Sequence, residues 1–168
     1  MTGVLTAWFK LASTAEPLLE HAPTALRSED NHLFLYAIGG NDGNFHVKST
    51  VERLNVSDSV ETDRVCAPPP PNVVFGHAAT VYVGRVFISG GKRLAVNDGD
   101  GRMVTEEQHT YWNINPYIIV NEVRSYDPVA DAWQDETPQK IARYNRAAVA
   151  ASPTVCTPSA AFRVEITT

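Results

Sequence analysis

The chain is poor in cysteine, with only Cys66 and Cys156 among its 168 residues, 90 positions apart. Both lie in apolar stretches, where an unpaired thiol packs as a small hydrophobic side chain. The prediction is therefore two buried free thiols, in preference to a disulfide or a metal site. Free thiols are typical of a reducing compartment, so we expect a cytoplasmic protein.

Long apolar runs and an excess of basic residues are also missing. No apolar stretch approaches the roughly 20 residues that span a bilayer. Lys10 and Glu16 interrupt the apolar N-terminal stretch, which also lacks the basic start of a signal peptide. The net charge of -5 argues against nucleic acid or an anionic membrane as the main partner. We therefore expect no nucleic acid and no membrane among the partners.

Motifs for catalysis and cofactor binding are absent as well. The chain has no phosphate-binding loop, no dinucleotide-binding glycine pattern and no G-x-S-x-G nucleophile turn. Residues 97–101 carry alternate carboxylates like part of a calcium loop, but the later ligands do not follow, which favours a solvated turn. The five histidines show no metal-ligand spacing: His21, His32, His46, His77 and His109. The expectation is no enzyme activity, no catalytic residue, no metal and no cofactor.

What the chain does contain is a series of short strand-like segments ended by glycine or proline. The apolar run at 33–38 stops at a Gly-Gly pair, and a similar segment at 82–89 stops at another pair 51 residues later. Such runs of β-branched and aromatic residues ended by glycine are typical of buried strands. No stretch has helical periodicity, so the predicted fold class is all-β, and the spacing indicates an internal repeat.

The order of these segments resembles the kelch repeat. In that repeat, a strand ending in Gly-Gly is followed by a strand ending in Tyr-Asp-Pro, then a Trp, then an Arg with a His three residues later. Residues 123–133, VRSYDPVADAW, match this pattern closely. Arg143 looks like the consensus Arg, and Arg146 falls at the His position. In the preceding unit His77 fits, but Val74 replaces the Arg.

The resemblance implies a β-propeller, built of four-stranded antiparallel blades around a channel. Glycine would allow neighbouring backbones to crowd where a blade narrows, and the Trp would supply the large apolar contact between blades. The residues that it marks as structural are Gly39, Gly40, Gly90, Gly91, His77, Tyr126, Asp127, Trp133 and Trp8.

The predicted organisation is a single partial propeller domain over residues 1–168. Its approximate repeat units are an incomplete first blade, a second unit and a third unit with a long inserted loop, followed by a divergent tail: 1–40, 41–91, 92–160 with the loop at 92–121, and 161–168. Ser159 and Ala160 stand where a third diglycine is expected. Because propellers need at least about four blades, we expect an incomplete propeller that further blades or a second copy would close.

In kelch proteins, the loops after the diglycine strands and the loops between blades share one face, which commonly binds a partner. The resemblance therefore implies binding by residues of these loops: Asn41, Asp42, Asn44, Lys92, Arg93, Arg102, His109, Tyr111, Trp112, Arg143 and Tyr144. Arginine and aromatic side chains are enriched at protein interfaces. An equally weighted alternative is that Tyr111, Trp112 and Ile118–Ile119 fold back onto the blade.

The predicted function is a non-enzymatic protein–protein interaction module. The resemblance implies roles such as the substrate-recognition part of a ubiquitin-ligase adaptor or a cytoskeletal, actin-binding protein, although no BTB domain or linker helix is visible. One alternative is a fragment of a kelch-type propeller enzyme similar to the copper radical oxidases. Another is a truncated product without independent function. The identity of the protein partner is not predicted.

Overall fold

The structure is a computed structural model. It describes residues 11–42, 46–56, 64–72, 74–94 and 117–150. These residues form ten β-strands and no helix, so the predicted all-β class is confirmed. All ten of these strands are three to six residues long, as short as the sequence segments indicated. Within the described part of the chain, no helix has the length and apolarity needed to cross a bilayer.

The first sheet has four antiparallel strands that follow one another in space as they do in sequence. Its strands are β1 (Ala22–Arg27), β2 (Leu33–Ile38), β3 (Val51–Asn55) and β4 (Arg64–Ala67). Pro23 is tolerated in β1 because β1 is an edge strand, whose outer side needs no backbone donor. The register pairs Ala22 with Ile38 and Ile38 with Val51, which brings their apolar side chains onto one face.

The second sheet has the same four-stranded arrangement, interrupted by an insertion. Its strands are β5 (Ala78–Tyr82), β6 (Arg85–Ser89), β9 (Val123–Asp127) and β10 (Ala132–Glu136), in the spatial order β10-β9-β6-β5. Each sheet spans one diglycine, which follows its second strand. The units predicted from the sequence end at the diglycines, after residues 40 and 91. The sheets begin earlier, directly after His21 and His77, so each sheet extends across one of these predicted boundaries.

The insertion between β6 and β9 begins and ends as paired backbone. Strands β7 (Lys92–Leu94) and β8 (Tyr117–Ile119) form a two-stranded antiparallel ribbon. Its register pairs Lys92 with Ile119 and Leu94 with Tyr117. The ends of the predicted loop at 92–121 are thus strands, whereas residues 95–116 lie outside the described residues.

The hydrophobic core lies between the two sheets, which pack face to face. Its buried residues come from both sheets and from the connections at 74 and 120: Leu26, Tyr36, Ile38, Val51, Ala67, Val74, Val86, Ile88, Val120 and Tyr126. The rings of Tyr36 and Tyr126 meet edge to face at 6.2 Å between centroids. Trp133 packs beside Tyr126 at 5.3 Å and donates its indole N–H to the Pro68 carbonyl at 2.7 Å. One side chain thus ties β10 to the proline-rich connection between the sheets.

The prediction of buried cysteines is wrong for Cys66, which is free but exposed. Cys66 lies on β4, the outer edge strand, next to Ala67, which is buried in the core. Because alternate residues of a strand point to opposite faces, Cys66 points away from the second sheet. The other cysteine, Cys156, lies outside the described residues, as does Trp8.

Candidate functional site

The backbone just after each diglycine makes the same contact in both sheets. Asn41 and Leu19 exchange two backbone hydrogen bonds of 2.7 and 2.8 Å. Lys92 and Phe75 exchange the equivalent pair at 2.9 and 3.0 Å. Leu19 stands two residues before His21, and Phe75 stands two residues before His77, so the two histidines occupy equivalent positions. The repeat inferred from the sequence is therefore a repeat of backbone geometry as well.

A second set of backbone hydrogen bonds joins each unit to the next. Gly40 N–H donates to the Val74 carbonyl at 3.3 Å, and Gly91 N–H donates to the Arg143 carbonyl at 2.7 Å. Gly76 N–H donates to the Glu20 carbonyl at 2.8 Å, and Asn145 N–H donates to the Gly76 carbonyl at 2.7 Å.

Glu20, Gly76 and Asn145 also share a left-handed backbone, with φ of 53°, 60° and 49°. Residues 143–146 therefore begin a third unit, even though none of them belongs to a strand. These contacts bring residues of three successive units onto one end of the sheets. We call this end the loop face, and it comprises residues 16–20, 41–42, 46–48, 74–76, 92–94, 117–122 and 143–146.

Gly39 and Gly90 lie where the backbones of adjacent units crowd. A Cβ on Gly39 would lie 2.5 Å from the Val74 carbonyl oxygen. A Cβ on Gly90 would meet the Arg143 carbonyl oxygen and would lie 2.5 Å from Nη2 of Arg146. Only glycine fits at such distances, so both first glycines of the diglycines are spacers between units.

His77 lies between the two diglycines and is buried. A Cβ added at Gly39 would lie 3.2 Å from His77 Cε1, and a Cβ added at Gly91 would lie 2.9 Å from His77 Cβ. Neither ring nitrogen makes a hydrogen bond. Burial, and then the nearby His21, lowers the pKa of His77 to about 4, while the Val74 backbone acts in the opposite direction. His77 is therefore a neutral spacer at pH 7.

The first sheet's part of the loop face is a network of paired charges. Lys48 Nζ lies 2.8 Å from Glu16 Oε2 and 3.7 Å from Asp42 Oδ2. The hydrogen bond to Glu16 raises the pKa of Lys48. Asp42 Oδ2 also lies 2.7 Å from His46 Nδ1. Because these side chains are already paired with one another, they offer few free charges to a binding partner.

The second sheet's part of the loop face is basic and aromatic. Lys92 Nζ lies 3.9 Å from the centroid of the Tyr144 ring and 5.5 Å from that of Phe75. Phe75 in turn meets Tyr117 edge to face at 4.9 Å. A cation over an aromatic face is stabilised by the ring quadrupole. The loop after β6 is thereby fastened to the start of the third unit.

Of the binding residues predicted from the sequence, four come together. Lys92, Arg93, Arg143 and Tyr144 lie on adjoining parts of the loop face, where Arg93 Nε is also 3.6 Å from Glu122 Oε1. Asn41 and Asp42 lie on the neighbouring turn of the first sheet. The remaining predicted residues lie outside the described residues: Asn44, Arg102, His109, Tyr111 and Trp112.

The sequence reasoning did not select Phe75, Tyr117 and Arg146 as loop-face residues. Phe75 lies before β5 and pairs with Lys92. Arg146 was noted only for occupying the His position of its unit. The presence of an arginine where the repeat has a histidine was the sequence feature that could have identified Arg146 as a binding residue.

The residues that the resemblance marked as structural stabilise the second sheet. The Tyr126 hydroxyl donates to Asp131 Oδ1, and burial followed by this hydrogen bond raises the pKa of Tyr126. Asp127 Oδ1 accepts the backbone N–H groups of Ala130 at 3.1 Å and Val129 at 2.9 Å, which lowers the pKa of Asp127. The tyrosine and the aspartate thus fix the turn between β9 and β10.

The described residues contain no group of three or more histidines, cysteines, aspartates or glutamates close enough to hold a metal ion. Among the described residues, the buried histidine is His77, and no carboxylate is among the causes of its pKa shift. A nucleophile–histidine–acid arrangement is not seen in the described ranges either. The chemistry that these residues offer is recognition by charge, aromatic contact and backbone.

Comparison with known proteins shows similarity at the level of structure. Neither a family model nor a curated protein matches the sequence. The solved structure titled "Structure of YjhT" superposes with a TM-score of 0.61 at 13% identity, over 83% of this chain and 37% of that chain. A second, titled "Novel fungal alcohol oxidase with catalytic diversity among the AA5 family, in complex with copper", gives a TM-score of 0.56 at 15% identity, over 81% of this chain and 26% of that chain.

These similarities define the class of fold. The two four-stranded sheets are blades of a β-propeller, of the kelch-type architecture that both solved structures share. At 13% and 15% identity the likeness extends to the fold alone. The chain spans 37% and 26% of the length of these two propellers.

Proposed function

We propose that this chain is a non-enzymatic protein-interaction module built of kelch repeats, which acts in the cytoplasm and binds another protein through its loop face. The observation that carries the proposal is the convergence of Lys92, Arg93, Arg143 and Tyr144 from two successive units. Side chains brought together from separate units form a surface that no single loop could present. Binding surfaces on scaffold folds are commonly built in this way.

The composition around the loop face supports a protein partner. Ile118, Ile119 and Ile141 are exposed close to the basic residues of the second sheet. The backbone connects them, because Ile119 pairs with Lys92 and the Gln139 N–H donates to the Asn121 carbonyl at 2.8 Å. Exposed apolar residues next to arginines and tyrosines are typical of interface centres.

Two finer roles follow from the kelch resemblance. The module would serve as the substrate-recognition part of a ubiquitin-ligase adaptor or as a cytoskeletal binder. In either role, further blades or a second copy of the chain would close the propeller, since the two described blades are fewer than any closed ring contains.

Affinity capture from a cell lysate tests the proposal. The loop-face variant Lys92→Glu/Tyr144→Ala is compared with a control, Arg27→Glu/Val83→Ala, at the opposite end of the sheets, where Val83 is 76% exposed. Wild type and control are expected to capture the same proteins, which the loop-face variant loses at least tenfold by quantitative mass spectrometry. Equal capture by all three proteins would overturn the proposal, provided that thermal melting shows each variant folded.

A second candidate function is a fragment of a copper radical oxidase. Its support is the structural likeness to a propeller oxidase whose title mentions copper. Metal analysis of the purified chain discriminates between the two. We expect no copper above background after incubation with the metal and gel filtration; one copper per chain would favour the oxidase.

A further inference from the structure

Arg143 and Arg146 lie three residues apart at the start of the third unit, and neither side chain has an anionic partner in the described ranges. Nη2 of Arg146 donates to Ser89 Oγ at 3.2 Å. Its Nε and Nη1 are buried atoms that make no hydrogen bond. A buried donor without an acceptor is costly, more so on a charged group. Among the described residues, two guanidinium nitrogens of Arg146 thus have no acceptor.

Backbone contacts hold both arginines in place. The Arg143 carbonyl accepts the Gly91 N–H at 2.7 Å, and the Arg143 N–H donates to Val120 at 3.4 Å. The Arg146 guanidinium lies directly against Gly90, where a Cβ would come within 2.5 Å of Nη2. The donors are therefore organised before any ligand arrives, which lowers the entropic cost of binding.

The preceding unit supplies an internal comparison. Val74 and His77 occupy the positions of Arg143 and Arg146, because the same backbone bonds join them to the preceding diglycine. Both are neutral there, since His77 has lost its charge through burial. At the third unit, two permanent cations replace a neutral pair. Burial first, and then the like charge of the neighbouring Arg143, lowers the pKa of Arg146.

The surrounding segment indicates which anion the arginines would bind. Residues 139–150 contain three basic residues and no aspartate or glutamate, in a chain whose net charge is -5. The same segment exposes Ile141 at 61%, Tyr144 at 42% and Val149 at 70%. Cations interspersed with exposed apolar side chains match an acidic polypeptide, which offers carboxylates and apolar contacts together.

We propose that Arg143, Arg146 and Ser89 form a site for a side-chain carboxylate of an acidic polypeptide, with Ile141 and Tyr144 contacting its neighbouring residues. Guanidinium groups match the planar carboxylate and bind it through charge-assisted hydrogen bonds. The Ser89 hydroxyl adds a further donor. The site deepens the proposed function, on which it rests, by naming the chemistry of the partner and the residues that hold it.

Binding of a fluorescein-labelled hexaglutamate peptide, followed by fluorescence anisotropy at low salt, tests the site. Arg143→Gln and Arg146→Gln are each expected to weaken binding about tenfold or more, because a charge-assisted hydrogen bond is lost. Arg146→Lys keeps the charge but loses the fork of donors, so weaker binding is expected there too. The matched control, Arg27→Gln, removes the same charge at the far end of β1 and should change binding less than twofold.

Three results would overturn the carboxylate site. They are binding of hexaglutamate and hexalysine with equal affinity, equal weakening by Arg27→Gln and Arg146→Gln, and displacement of the peptide by inorganic phosphate more readily than by acetate at matched ionic strength. The last would assign the arginines to a phosphate group. If wild type binds hexaglutamate and Arg146→Gln does not, the site stands even where the capture experiment fails, and that failure then counts against the proposed function alone.

Discussion

Gly91 shows how one residue without a side chain sets the distance between two parts of the chain. Its φ of +100° is unfavourable for any other residue type, and a Cβ there would lie 2.9 Å from both the Phe75 carbonyl oxygen and the His77 Cβ. Gly84, in the turn between β5 and β6, has a φ of +71° but no atom within 4 Å of its Cβ direction. A side chain at Gly84 would meet only backbone strain, whereas a side chain at Gly91 would meet backbone strain and steric crowding.

Alanine at each position should reveal that difference. Gly84→Ala is expected to lower the free energy of unfolding by about 1–2 kcal/mol through left-handed strain alone. Gly91→Ala should cost about 1–3 kcal/mol more, because the added methyl group also displaces packed backbone. Urea unfolding of the two variants and wild type measures both losses. Equal losses in the free energy of unfolding would contradict the prediction, because they would show that the backbone around Gly91 moves to accommodate the methyl group.

At the residue scale, the diglycines and His77 stand out in the sequence because they recur in a short local pattern. The sequence did not predict the role of Arg146. A cation at the His position becomes meaningful only once Ser89 and Gly90, 57 and 56 positions earlier, are seen beside it. Contacts over such separations are not readable from local pattern.

At the scale of elements, His77 joins β5 to the two diglycine turns, and its charge state couples that junction to pH. The pKa of His77 in the folded chain is about 4, against 6.5 for a free imidazole. Well above pH 6.5, the imidazole is neutral in both the folded and the unfolded chain, so it does not affect stability there. As the pH falls below 6.5, the unfolded chain takes up the proton and the folded chain does not, so stability decreases.

This linkage predicts that His77 reduces the free energy of unfolding by about 2 kcal/mol between pH 7 and pH 5, and by about 3 kcal/mol once the pH is below 4. Guanidinium unfolding at each pH measures the loss, and an NMR titration of the imidazole follows the group itself. His46→Gln, at an exposed histidine, should retain the pH dependence. Titration of His77 near pH 6.5 would contradict the prediction.

Elements with strong local signals were predicted, and elements that depend on a distant partner were not. The run at 33–38 is apolar and ends in glycine, so β2 was evident from the sequence. The three residues of β7 and the three of β8 are too few to show alternation, and each is a strand only because it pairs with the other. The exposure of Cys66 likewise depends on which face of β4 meets the second sheet.

At the scale of the whole molecule, the two blades are joined through aromatic packing. Tyr36 of β2 and Tyr126 of β9 meet edge to face, and both are buried between the sheets. If the blades are one cooperative unit, replacing both tyrosines should cost less than the sum of the single losses, because each single variant already removes the contact.

A double-mutant cycle tests this coupling. Tyr36→Leu and Tyr126→Leu should each destabilise the chain, with an interaction energy of about 0.5–1.5 kcal/mol for the aromatic pair. Phe87 lies between Val86 and Ile88 on β6 and points away from the first sheet. The control cycle, Tyr36→Leu with Phe87→Leu, should therefore be additive. Additivity in both cycles, or two separate unfolding transitions, would show that the blades are stable independently.

The sequence by itself determined the strand-forming segments, the diglycine turns and the Tyr-Asp-Pro turn, because each depends on the conformational preferences of a few adjacent residues. Tertiary structure alone decided which side chains share a surface. Lys92 meets Tyr144, and Arg146 meets Ser89, only because backbone hydrogen bonds stack successive units at the loop face. A short backbone repeat specifies that stacking, whereas the position of Arg146 beside Ser89 and Gly90 depends on the packing of residues far apart in the chain.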